Sequence, residues 1–215
     1  MFITLCGIDG AGKTTLGAML AAELERVWPT PDGRPARVVF RKLVGDNSEV
    51  VRYYKILVEV DPLFDGRAQN YIFAFERVRT ANTTLRELQQ QYDIVIIDRY
   101  VYCDIAYSRA RGRDDSMYYT VLEHVPIPDV GFIIDVPADV ALGRVSARKE
   151  VWTFQENGEL LRRARETYLG VAEEFGQIVI DGSGDPAHSV EKMVDIVMRA
   201  RAGAGRQLLG SGIRA

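Results

Sequence analysis

The sequence predicts an α/β fold, a doubly wound parallel sheet of five strands with helices on both faces. Three observations lead there. Apolar runs such as Ile94-Val95-Ile96-Ile97 lack polar alternation, the pattern of strands covered on both sides. Stretches with apolar residues at helical spacing alternate with those runs along most of the 215 residues. A glycine-rich turn from Gly7 to Gly12 separates the first run from the first helical stretch.

The elements follow in order. Phe2 to Cys6 reads as a buried strand ended by Gly7, and Thr14 to Val27 as a helix closed by Pro29 and Pro31. Arg37 to Phe40 is the second strand, and Asn47 to Val60 a helix that stops before Pro62. Gln69 to Gln91 reads as one long amphipathic helix leading into the strand Ile94 to Asp98. Val130 to Asp135 and Gln177 to Asp181 have the same continuous apolar character. Helical stretches are expected at about 101–123, 138–150, 158–175 and 186–201. With no repeat and no linker, residues 1–201 read as one domain and 202–215, rich in Gly and Arg, as a flexible tail.

Composition narrows the function. At 47% hydrophobic and 27% charged residues the chain is an ordinary globular protein. A net charge of -3 offers no global attraction to nucleic acid or to an anionic membrane. No apolar stretch approaches the length of a membrane span, and the N-terminus has no signal-peptide pattern. Cys6 and Cys103 show neither zinc nor redox-pair spacing, which with the rest points to the cytoplasm.

Gly7, Gly12, Lys13 and Thr14 satisfy G-x-x-x-x-G-K-[ST] between a strand and a helix, the context that pattern requires. Glycines let successive N–H groups turn inward on phosphates, and the helix that follows adds its positive N-terminal end. Lys13 reaches the β- and γ-phosphates of a nucleoside triphosphate, and the Thr14 hydroxyl is a ligand for Mg2+. An accidental match is expected in roughly one chain in a hundred of this length, so the segment is read as a P-loop. That places the sheet in the P-loop NTPase fold.

A GTPase would read guanine with Asn-Lys-x-Asp, which is missing here. Instead, Asp98 and Arg99 end a buried strand, at the edge where open α/β sheets bind ligands. Asp98 suits magnesium or an attacking oxygen, and Arg99 suits a second phosphate. The competing reading is a pair that caps the next helix.

At these residues the chain resembles the thymidylate kinase family over most of its length. Gly7 to Thr15 is similar to the family's P-loop, Asp9 included; Asp98-Arg99-Tyr100 through Ser108 to its D-R-Y-x-x-S-x-x-A-Y-[QS] signature. Phe73-Ala74-Phe75-Glu76-Arg77 resembles its F-x-A-x-R helix, and Ile134-Asp135-Val136-Pro137 its L-D-V-P segment. The resemblance implies transfer of phosphate from ATP to dTMP, with Mg2+, in a homodimer. It implies that Gly7, Asp9, Gly10, Ala11, Gly12, Lys13, Thr14, Thr15 and Arg144 hold ATP, and that Thr14 and Asp98 hold the metal. Phe73 would stack on the acceptor base and Arg77, one turn later, bond its edge; the competing reading puts Phe73 in a buried stripe with Ile72 and Val78. Arg99 would grip the acceptor phosphate, with Arg52 as a second candidate. Asp9 would meet the 3′-hydroxyl or the magnesium shell, and Tyr107 the deoxyribose.

Some family members carry an arginine inside the P-loop, but here those positions are Ile8, Asp9, Gly10 and Ala11. The resemblance then implies a lid at about 144–157 that supplies it, with Arg148 first among Arg144, Lys149, Arg162, Arg163 and Arg165; any one of these equally fits a solvated helix face. The chain departs from the family on the acceptor side. Residues 41–47 have no Glu-Pro pair, Cys103 replaces a serine, Asp104 adds a charge, and Glu76 is longer than usual. These departures leave open a modified or non-nucleotide acceptor, or an ATP-hydrolysing binding module.

Overall fold

The structure, a computed structural model, describes residues 1–44, 48–60, 66–147 and 158–207. Five strands form one parallel sheet in the order β2-β3-β1-β4-β5. They are β1 (Phe2–Cys6), β2 (Val38–Arg41), β3 (Ile94–Asp98), β4 (Val130–Asp135) and β5 (Ile178–Asp181). The three apolar runs at the centre are buried along their length, with Ile3, Leu5, Ile94, Ile96, Ile97 and Phe132 at zero exposure. The last strand departs from expectation: β5 lies at the sheet edge, so one face opens and Val179 is 44% exposed.

Parallel neighbours require crossovers, and right-handed crossovers place the helices on both faces. On one face α1 (Lys13–Val27) packs against α9 (Pro186–Gln207). The other face carries α2 (Glu49–Val60), α3 (Gly66–Thr80), α4 (Arg86–Gln91), α5 (Val101–Ala110), α6 (Ser116–Glu123), α7 (Ala138–Ala147) and α8 (Gly158–Glu174), with α5 against α8 and α3 against α5.

Two expected long helices are interrupted. Between α3 and α4 the chain makes a π-helical turn, Ala81–Leu85. There Thr80, Asn82 and Thr83 each hydrogen-bond the carbonyl four residues back, at 2.6, 2.9 and 2.8 Å, and such side-chain competition loosens the helical ladder. The expected helix 101–123 breaks after Ala110, where Gly112 takes φ 65° and the Asp114 carboxylate accepts from the Ser116 N–H at 2.9 Å to start α6. The last helix runs past Arg201 to Gln207, into the segment expected to be a loose tail. The Arg201 guanidinium lies 4.5 Å over the ring of Trp28, which ties that end to the C-terminus of α1. Residues 208–215 lie outside the described residues.

The strand order reverses at β1, with β3 on one side and β4 on the other. Leu5 is level with Asp98 and Cys6 with Ile133, so the loop after β1 and the Asp98-Arg99 step emerge side by side. This is where open α/β sheets bind ligands.

Candidate active site

The loop after β1 is shaped by backbone before any side chain contributes. Gly7 has φ 139°, and a Cβ there would stand 2.4 Å from the carbonyl oxygen of Ile134. Gly10 has φ 82°, and its Cβ would stand 2.3 Å from the carbonyl oxygen of Ala141 on α7. Both positions therefore demand glycine sterically as well as conformationally. Gly12, also left-handed, leads into α1, whose first turn has no side-chain cap and leaves its N–H groups to an anion.

Lys13 is buried, and its Nζ donates to the carbonyls of Gly7 at 3.0 Å and Ile8 at 2.8 Å. Burial and the nearby Arg99 cation push its ammonium below the usual lysine range. The Thr14 hydroxyl donates to Asp98 Oδ2 at 3.4 Å, while Asp98 Oδ1 is buried with no hydrogen-bond partner among the described residues. An orphaned buried carboxylate oxygen beside a hydroxyl matches the hard-oxygen chemistry of a magnesium site.

The second half of the site gathers around Asp9. Its Oδ1 accepts a close hydrogen bond from Arg99 Nη2, and its Oδ2 accepts from the Tyr107 hydroxyl at 2.9 Å. Burial disfavours the Asp9 charge, but Arg99, Lys13 and the Tyr107 hydroxyl outweigh it and hold the carboxyl below its ordinary value. Arg99 is the one residue other than glycine with positive φ (65°) among those described. Its N–H is pinned to the Leu5 carbonyl at 2.9 Å, so the strained turn that aims it is fixed by the sheet. The helix-cap reading of Asp98 and Arg99 does not describe this geometry. The residue at the N-cap of α5 is Tyr100, and no side chain caps that helix.

Arg77 and Asp104 meet. Arg77 Nε donates to Asp104 Oδ2 at 2.6 Å and Nη2 to Oδ1 at 3.3 Å, with Arg77 3% exposed. Burial opposes the Arg77 charge, and the Asp104 carboxylate overrides that and keeps the guanidinium protonated. Phe73 is half-buried; it stands edge-on to Tyr54 of α2 at 5.7 Å, whereas Val78 packs against the core, so the two do not share one buried stripe. Glu76 is buried and accepts hydrogen bonds from Arg79 and Ser48. Arg52 is not gathered with this cluster. It lies on α2 with its side chain 64% exposed, 3.9 Å from Glu49.

A cavity of about 250 Å³ opens beside the P-loop, lined by Ala11, Gly12, Thr15, Arg144, Gly182 and Pro186 among others. Arg144 donates to the carbonyls of Gly10 at 3.4 Å and Gly182 at 3.1 Å, bridging the loop after β1 to the loop after β5. Arg148 and Lys149 lie outside the described residues. Arg162 contacts Asp139 and Glu159, and Arg165 forks onto Asp135 at 2.7 and 2.9 Å, so Arg165 fastens α8 to the end of β4.

Several residues here carry no sequence signal. Gly182 and Pro186 are detectable only from the rule that ligands sit at strand C-termini. Tyr54 and Tyr168 read as helix aromatics. The two cysteines, unrelated by spacing, are both free and buried; burial and the neighbouring Cys103 push the Cys6 thiol up, while Cys6, Arg99 and Arg77 outweigh burial and hold Cys103 down.

The model of the family described as thymidylate kinase matches residues 5–194. A "Probable thymidylate kinase" of Pyrobaculum calidifontis is 36% identical over 96% of this chain and 100% of its own. Its namesake in Thermococcus kodakarensis is 30% identical over 90% of this chain and 95% of its own. "Probable thymidylate kinase 1" of Saccharolobus solfataricus is 27% identical over 92% and 96%. A match along nearly the whole chain, on a sheet whose switch point gathers Lys13, Asp98, Asp9 and Arg99, identifies the protein as a member of the thymidylate kinase family.

Proposed function

We propose that this protein transfers the terminal phosphoryl group of ATP to dTMP. The observation that carries the reading is the Asp9–Arg99 pair beside Lys13: a second cation, held at the strand edge next to the P-loop, suits a second phosphate. A module that only hydrolyses ATP has no use for it.

The roles follow from placement. Backbone N–H groups from Gly7 to Thr15, together with Lys13, cradle the triphosphate. Thr14 and Asp98 would hold Mg2+ through their side-chain oxygens, and the ion would supply charge neutralisation at the phosphates. Arg144 and the cavity at Gly182 and Pro186 receive the adenine end. Arg99 takes the acceptor phosphate, and Tyr107 and Asp9 border its sugar. Phe73 supplies a stacking face for the base. Arg77 and Asp104 offer a donor next to an acceptor, which complements an imide edge presenting O4 and N3–H. Paired in this way, Asp104 costs the pocket no net charge, so this departure from the family fits a thymine base. The lid around Arg148 supplies the cation at the transferred group.

The same reading places the protein in the cytoplasm as a homodimer without nucleic-acid partners. No described helix is long and apolar enough to cross a membrane. Tyr53 and Ile56 on α2, with Tyr71 and Phe75 on α3, expose an apolar surface that a second copy would cover. Coupled ADP release against a panel of nucleoside monophosphates tests the activity. Turnover should require dTMP and Mg2+, and release independent of any acceptor would overturn the reading.

A further inference from the structure

Arg111 stands at the C-terminus of α5 between two arginines with ordinary partners. Arg109 bonds Asp115 and Glu174, and Arg113 bonds Gln69. Arg111 is different: no carboxylate among the described residues lies within ion-pair reach of it. Its Nη1 donates to the Tyr107 carbonyl at 3.4 Å, and its guanidinium lies 5.1 Å from the centroid of the Tyr107 ring. Burial and the neighbouring Arg113 charge lower its pKa, so its setting costs free energy that the ring face only partly offsets.

The ring it covers is the one whose hydroxyl holds Asp9. Tyr107 is 6% exposed; Tyr168 meets it edge-on at 5.8 Å and the Arg99 guanidinium lies 5.8 Å from its centroid. Its hydroxyl donates to Asp9 Oδ2 and also accepts from the Asp9 N–H at 3.3 Å. A cation near the ring draws electron density from the phenol and makes its O–H a stronger donor. With Arg111 removed, the Tyr107 ring loses one of the two cations beside it, and its hydroxyl, now a weaker donor, holds Asp9 Oδ2 less firmly away from Arg99. Both Asp9 oxygens are then free to close on Arg99, occupying the guanidinium that the acceptor phosphate needs.

We propose that Arg111 is a positioning residue for acceptor binding, acting through the Tyr107 ring on the Asp9–Arg99 pair. The inference rests on the reading of that pair as the acceptor-phosphate site. It runs through Tyr107 rather than through ATP: among the described residues the polar contacts of the Arg111 side chain are to the Tyr107 carbonyl and ring.

Steady-state kinetics on the full chain test it. Arg111→Ala should raise KM for dTMP about tenfold, the weight of one partly desolvated cation–π contact, and leave KM for ATP within about twofold. Arg111→Lys, which keeps a cation over the ring, should recover most of the loss, whereas Arg111→Gln, which keeps bulk without charge, should not. Arg111→Ala made in a Tyr107→Phe background should add little, because the hydroxyl it orients is already gone. Penalties that multiply in the double variant, or a rise in KM for ATP equal to that for dTMP, would overturn the proposal. If Arg111→Ala fails to fold, the Lys and Gln variants carry the same comparison. A wild-type enzyme without dTMP-dependent turnover would instead sink the acceptor reading and the inference with it, whereas an active wild type with additive variants sinks only the inference.

Discussion

The two halves of the site are built from different materials. The donor side is a single contiguous segment, Gly7 to Thr15, whose shape comes from backbone turns and a helix end. The acceptor side is a mesh of charged and aromatic side chains drawn from the P-loop, α3, β3 and α5, linked as Tyr107–Asp9–Arg99 and Arg77–Asp104. A backbone cradle recognises what all nucleoside triphosphates share, so its sequence is tightly constrained. A side-chain mesh can exchange members as long as charges and hydrogen bonds remain balanced, and that is where this chain departs from its family. Asp104 is tolerated because Arg77 neutralises it, and Glu76 because Arg79 neutralises it and the Ser48 hydroxyl donates to it.

That contrast can be tested by breaking each half in turn. The largest effect should come from Lys13→Ala, which removes the donor-side cation; single-turnover transfer should fall about a thousandfold or more. Next is Arg99→Ala on the acceptor side, which should lower dTMP-dependent turnover by about two to three orders of magnitude while calorimetric ATP affinity stays within about threefold. Equal loss of ATP affinity would mean the halves are not separable.

Arg77→Ala tests charge balance within the mesh. It strands a buried carboxylate, so chemical denaturation should show a loss of about 3–5 kcal/mol. Arg77→Ala combined with Asp104→Asn should recover much of it, and a double variant no more stable than the single would show that the pair is not what makes Asp104 tolerable.

The smallest effect lies outside the site. Asp93 joins β2 to β3 by accepting from Arg34 at 2.7 Å through each oxygen and from the Arg37 N–H at 2.7 Å. Hydrogen bonding from Arg34 holds its carboxyl far below the usual carboxylate range. A depressed native pKa gives stability that is present above the unfolded value of about 3.9 and is lost as pH falls toward the native one. Asp93→Asn should therefore cost about 1 kcal/mol at neutral pH, with the gap to wild type closing below about pH 4. A gap that persists in acid would assign the loss to packing.

The same division governs what could be read from the chain. Gly7, Gly12, Lys13 and Thr14 were legible because their neighbours in space are their neighbours in sequence. Asp98 and Arg99 were legible as a pair at a strand end, but not the left-handed turn at Arg99 or its closure on Asp9, since both depend on β1 lying beside β3. The Gln69–Gln91 pattern correctly marked a continuous helical stretch but hid the π-helical turn, which arises from Thr80, Asn82 and Thr83 competing for carbonyls. The stretch 101–123 reads as one helix because its apolar spacing continues through a break that Gly112 and Asp114 impose locally.

By itself the sequence determined the strand–helix alternation, the phosphate cradle and the family, because hydrophobic period and glycine placement are local properties of the chain. Only the tertiary structure decided which charges neutralise one another. Arg77 lies 27 residues from Asp104, and Arg99 lies 90 residues from Asp9. Those pairings depend on strand order and helix packing, and the energy of a charge depends on what stands within a few ångströms of it rather than on its place in the chain.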